Sequence, residues 1–204
     1  MNTQLWQGGR VLARAVGMNA RFAYHATPLD GVRVVTRKNL DDSRGYFCRL
    51  FCSDELRHAG FQKPITQINY THTSGQGAVR GLHFQHPPHA EVKLVSCLRG
   101  EVFDVAVDVR RDSPTFLHWH GEVLSAADCK SLLIPEGFAH GFQALTPNCE
   151  LLYLHTVAYV PEAAAGLHPL DPAIGIDWPL KIGEMSQHDR SQTFVNDDFS
   201  GVTL

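Results

Sequence analysis

Short apolar runs that alternate at period two, broken by Gly, Pro, Asp and Ser, constrain this chain more than any other feature. They fall at Val32–Thr36, Tyr46–Phe51, Ile65–Tyr70, Val92–Leu98, Val102–Val109, Trp119–Leu124, Ser131–Ile134, Gly141–Leu145 and Glu150–Tyr159. Side chains on a strand point alternately to its two faces, so each run reads as a strand. Many short strands at this spacing predict an antiparallel sandwich or barrel. In the longest clean run, Phe103, Val105, Val107 and Val109 face one way and Asp104, Ala106 and Asp108 the other. A helix is expected at Asp54–Ala59, with Ser53 as N-cap and Gly60 as stop. A second short helix is expected near Glu184–Arg190. Residues 1–17 read as an N-terminal extension, with Met18 an alternative start, and 18–204 as one domain.

Composition excludes several classes. The 204 residues hold 18 Lys+Arg against 21 Asp+Glu, and only 19% are charged, which rules out a disordered polyelectrolyte. Near-neutral charge with no Lys/Arg run argues against a nucleic-acid partner. No apolar run approaches the roughly 20 residues of a membrane span. Arg10 and Arg14 interrupt every apolar stretch before Met18, so no signal peptide is expected. Five cysteines with no CxxC pair point to free thiols in a reduced, cytoplasmic setting.

The twelve histidines leave a metal site, a catalytic base and a solvated surface as alternatives. His83, His86, Glu91 and His140 are the candidate ligands of a metal-dependent cupin isomerase or oxygenase, whose mixed nitrogen and oxygen donors suit a divalent ion. The spacing opposes it. His83 and His86 face opposite sides of a strand, and Pro87-Pro88 turn His86 and His89 toward solvent. Acid–base chemistry is the other reading. His83 and Lys93 interrupt apolar runs, and a buried ammonium needs an anionic partner or an oxyanion to serve. Tyr153 sits in a third such run and needs a partner for its hydroxyl. A base, a cation and a phenol around one cavity suit proton abstraction next to a carbonyl.

On these residues the chain resembles the dTDP-4-dehydrorhamnose 3,5-epimerase family. The motifs are RGLHFQ (80–85), KL (93–94), GEVFDVAVDVRRDSPTF (100–116), IPEGFAHGF (134–142), LLY (151–153) and DPAIGIDWPL (171–180), in order between Val32 and Asp189. The resemblance implies an all-β, cupin-type jelly roll with short peripheral helices, acting without metal or cofactor on a nucleotide-diphospho-4-keto-6-deoxy sugar. It inverts C3 and C5, both beside the ketone, by deprotonation and reprotonation. By position, His83 matches the general base, Asp189 the carboxylate that orients it, Tyr153 the general acid and Lys93 the lysine near the ketone. Arg44 and Arg80 match the diphosphate-holding residues, and His140 matches a substrate contact. Gln67 and Asn69 sit where the family has polar contacts near the nucleotide, and Phe47 lies in the Arg44-Gly-Tyr-Phe motif. The family is homodimeric with exchanged N-terminal strands, so the stretch around Arg44–Phe47 is expected to complete the neighbour's site.

Departures from the family pattern, among them Pro169-Leu-Asp171 for its usual Trp-Asn-Asp, surround the nucleotide rather than the reacting carbons. Arg49 stands where the family usually has Glu, Ala158 where it has the first of two tyrosines, and Ala164 where it has another Glu. A single-centre epimerase or one using a different nucleotide therefore stays open. Strand parity raises one difficulty: Arg80 and His83 are three apart and should face opposite sides. A bulge at Gly81 would bring them together.

Overall fold

The computed structural model describes residues 21–196 and 198–204; the extension at 1–17 and the alternative start at Met18 lie outside them. Thirteen strands are present among the described residues. They are β1 (Phe22–Ala26), β2 (Arg33–Arg37), β3 (Asn39–Asp42), β4 (Gly45–Cys48), β5 (Gln67–Thr73), β6 (Val79–Gln85), β7 (Lys93–Arg99), β8 (Glu101–Asp108), β9 (Trp119–Ser125), β10 (Lys130–Ile134), β11 (Phe138–Ala144), β12 (Cys149–His155) and β13 (Ala164–Gly166). A six-stranded sheet runs β1-β2-β10-β7-β12-β5, and a five-stranded sheet runs β13-β6-β11-β8-β9. All pairings within both are antiparallel, and β3 and β4 form a separate hairpin. Two facing sheets linked in this order make a cupin-type jelly roll.

Apolar side chains cover both faces of the central strands. Between the sheets lie Val95, Val102, Ala106, Leu132, Phe142 and Leu151. Behind the six-stranded sheet, Leu94, Leu133 and Leu154 pack with Phe22, Leu56 and Phe61. Behind the five-stranded sheet, Val105, Val107 and Val109 pack with Leu167, Ile174 and Val202 from the C-terminal segment. The valine face of β8 therefore lies outside the barrel, under that segment. Its partner face turns Ala106 and Asp104 inward.

Several elements differ from their expected bounds. The first helix is α1, Ser53–Leu56, followed by a 3₁₀ turn at Arg57–Ala59. It starts one residue early, with Cys52 rather than Ser53 at the N-cap, because Leu56 N–H already bonds Cys52 C=O. Gly60, at φ +114°, ends the segment as expected. The later helix is α2, Gln187–Arg190, capped by Ser186, whose Oγ accepts from Asp189 N–H at 3.0 Å. β12 stops at His155 instead of Tyr159, as the chain leaves the sheet and Thr156 Oγ1 accepts from Val92 N–H. All five cysteines are free thiols.

Candidate active site

A cavity of about 520 Å³ lies where β5, β7 and β12 of one sheet meet β6, β11 and β13 of the other. That volume suits a small ligand. Of the residues singled out from sequence, Asn69, Arg80, His83, Lys93, His140, Tyr153 and Asp189 line it, and Gln67 lines a smaller adjoining lobe. Arg44 and Phe47 do not. They stand at the β3–β4 hairpin with most of their surface in water, Arg44 paired to Asp42 at 2.6 Å.

His83 comes from β6 and Asp189 from α2, and His83 Nε2 lies 2.7 Å from Asp189 Oδ1. Burial pushes the Asp189 carboxyl up, but its contacts with His83 and Ser186 outweigh that and hold it below the usual carboxylate range. An ionised carboxylate accepts only, so His83 donates its Nε2 proton and keeps Nδ1 as the basic nitrogen. The α2 cap is what brings the carboxylate here.

Arg80 and His83 share the cavity because the strand slips. His140 of β11 pairs with His83, yet Phe142 pairs with Arg80, so three steps on β6 oppose two on β11. Gly81 takes up the extra residue at φ +122°, and a Cβ there would meet Gly141 Cα at 2.5 Å. The bulge expected from strand parity is present.

Lys93 is buried and pairs with Glu91 at 3.0 Å, while also donating to His83 C=O at 3.1 Å. Glu91 in turn accepts from Gln85 Nε2 at 3.0 Å. The lysine thus has its anionic partner and still faces the cavity. Tyr153 is buried on β12, with its hydroxyl 3.4 Å from Thr71 Oγ1. Burial raises its pKa far above that of a free phenol, so the hydroxyl keeps its proton. His140 Nε2 lies 2.8 Å from Asp104 Oδ1, and Asp104 is fully buried.

The four candidate metal ligands do not converge. His83 is held by Asp189, Glu91 by Lys93 and Gln85, and His140 by Asp104. His86 is exposed at the Pro87-Pro88 turn, edge-on to Phe84. Among the described residues, no group of three His, Cys, Asp or Glu side chains is placed to hold a metal ion.

Sequence reasoning gave no role to several side chains here. Asp104 orients His140, and its signal was a carboxylate inside an alternating apolar run. His188 lines the cavity with its ring 5.8 Å from His83, and His155 lines it beside Tyr153. His155 shares Tyr153's strand parity, which is a legible signal. Of the departures, Arg49 turns to Glu55 at 2.5 Å, Ala164 lines the cavity, and Tyr159 supplies an exposed aromatic at the rim.

An antiparallel cupin barrel holding an oriented imidazole, a buried cation and a protonated phenol around one cavity defines an acid–base isomerase. The family model for dTDP-4-dehydrorhamnose 3,5-epimerase matches residues 26–197, and the chain belongs to that family. A dTDP-4-dehydrorhamnose 3,5-epimerase from Methanothermobacter thermautotrophicus is 41% identical over 175 residues, covering 84% of this chain and 94% of the relative. A dTDP-4-dehydrorhamnose 3-epimerase from Streptomyces niveus is 37% identical, covering 79% of this chain and 78% of its own length. Among solved structures, the 3,5-epimerase of Legionella pneumophila in complex with dTDP-4-keto-L-rhamnose superposes with a TM-score of 0.83 at 34% identity. It covers 90% of this chain and 99% of that one. No helix among the described residues is long and apolar enough to cross a membrane.

Proposed function

We propose that this enzyme epimerises a dTDP-linked 4-keto-6-deoxy sugar at C3 and C5. One observation carries the reading: the His83–Asp189 pair, at 2.7 Å, shares a cavity with a buried Lys93 and a buried, protonated Tyr153. His83 Nδ1 removes the proton beside the ketone, and Asp189 stabilises the resulting imidazolium. Lys93, with His140 lining the same cavity, stabilises the enolate oxygen. Tyr153 delivers its hydroxyl proton to the carbon from the opposite face, which inverts the centre. Water then takes the proton from His83 and restores the one on Tyr153. The same set serves both carbons, since each adjoins the same ketone.

Arg80, Gln67 and Asn69 hold the diphosphate and nucleotide side, where a guanidinium fork suits phosphate oxygens. Arg44 and Phe47 act in the neighbouring site of a homodimer that exchanges its N-terminal strands. Their exposed position on a projecting hairpin supports this. We take residues 18–204 as the catalytic domain, 1–17 as an extension, and the cytoplasm as the site of action.

The experiment is solvent deuterium incorporation at C3 and C5 of dTDP-4-keto-6-deoxyglucose. Exchange at both carbons is expected, and loss of both in His83→Ala. No exchange with the wild-type enzyme sinks the reading. Exchange at C3 alone makes it a single-centre epimerase, the activity for which the 37% identical Streptomyces niveus relative is named.

A further inference from the structure

A phenol that returns a proton to one face of a carbon must hold its ring at one angle. Two imidazoles bracket the Tyr153 ring. His140 meets it edge-on at 5.9 Å and 73°, and His155 lies nearly parallel at 6.1 Å and 19°. His155 takes no part in the proton transfers above. It stands two residues after Tyr153 on β12, opposite Gln67 of β5 and Lys93 of β7, and lines both the cavity and its smaller lobe.

A chain of hydrogen bonds sets this ring's protonation. Tyr159 N–H donates to Gln67 Oε1 at 2.9 Å, Gln67 Nε2 donates to Asn69 Oδ1 at 3.0 Å, and Asn69 Nδ2 lies 3.4 Å from His155 Nε2. A backbone N–H only donates, so the direction is set at that end. Each carboxamide then accepts with oxygen and gives with nitrogen. His155 Nε2 must accept, which leaves its proton on Nδ1 and the ring uncharged. Burial and the neighbouring Lys93 and His140, opposed by Glu91, favour the same state and push the His155 pKa down to about 4.

We propose that His155 is a positioning residue for Tyr153: an uncharged flat ring, kept neutral by the Tyr159–Gln67–Asn69 chain, that holds the phenol where it reprotonates the face opposite His83. This rests on the epimerase reading. When the phenol is displaced, the enolate recaptures a solvent-exchanged proton from His83. The carbon then exchanges without inverting.

The test measures deuterium wash-in and net inversion together, on dTDP-4-keto-6-deoxyglucose in D₂O, for wild type, His155→Leu and His155→Phe. Leu fills the space without a flat ring, whereas Phe restores the flat ring. The ratio of exchange to inversion is expected to rise about tenfold or more in His155→Leu, within what a positioned general acid contributes. In His155→Phe it should fall back toward the wild-type value. Exchange and inversion dropping in proportion, or an unchanged ratio, overturns the proposal, because neither a folding defect nor weaker binding separates the two. A wild-type enzyme that exchanges neither carbon overturns the epimerase reading itself, and this proposal with it.

Discussion

At the scale of single residues, the site is a set of charges and protons that burial makes conditional on partners. Lys93 and Glu91 are both almost fully buried, and their 3.0 Å contact keeps either charge from standing alone. Glu91→Leu leaves an unpaired ammonium and should lower the unfolding free energy by about 3–5 kcal/mol in urea titrations. His155 gives a pH dependence whose sign follows from its depressed pKa. Above its ordinary 6.5 both folded and unfolded chains hold it neutral. As pH falls from 6.5 toward about 4, only the unfolded chain gains the proton. Stability from this group is therefore present above pH 6.5 and lost on acidification, on the order of 2 kcal/mol after allowing for partial exposure. Burial pushes His120 in the same direction. Denaturant midpoints between pH 7 and pH 4.5 should fall for wild type and fall less for His155→Leu.

At the scale of elements, alternation predicted the strands well where both faces are buried and poorly where a strand is short or at an edge. β8 was legible because Val105, Val107 and Val109 pack under the C-terminal segment while Val102 and Ala106 pack between the sheets. β13 was not, because three residues paired only to β6 carry no period. The β6 bulge is the decisive local event, since it puts Arg80 and His83 in one cavity. Gly81→Ala should force β6 off β11, with a Cβ 2.5 Å from Gly141 Cα and 2.8 Å from His140 C=O. A loss of about 3 kcal/mol is expected. Displacing the base should cost about 10²-fold in kcat/KM. Wild-type kinetics from a folded Gly81→Ala would refute the role assigned to the bulge.

At the scale of the whole molecule, the β3–β4 hairpin carries Tyr46 and Phe47 at 63% exposure each, on a pair of strands that joins neither sheet. At the far edge of the six-stranded sheet, β5 leaves Ile68 and Tyr70 exposed at 60% and 57%. Open strand edges and aromatic surface of this kind call for a cover. Sedimentation at micromolar concentration should show a species of twice the chain mass. Tyr46→Asp with Phe47→Asp should shift it to monomer and raise KM, while the far-UV spectrum stays that of a β protein. A wild-type monomer that is fully active would remove Arg44 and Phe47 from the site.

Period two, the turn residues between runs and the polar groups set in apolar strands were enough to mark an antiparallel sandwich or barrel and to single out His83, Lys93 and Tyr153. Those properties are local, because a strand's parity and the cost of burying a charge are written in consecutive residues. Partners were not legible in this way. Asp104 beneath His140, from β8 to β11, and the carboxamide chain that ends on His155, from β5 to β12, join residues from different strands. Such contacts exist only once the strands pair in register, because hydrogen bonds of about 3 Å depend on register and bulges that no single segment encodes.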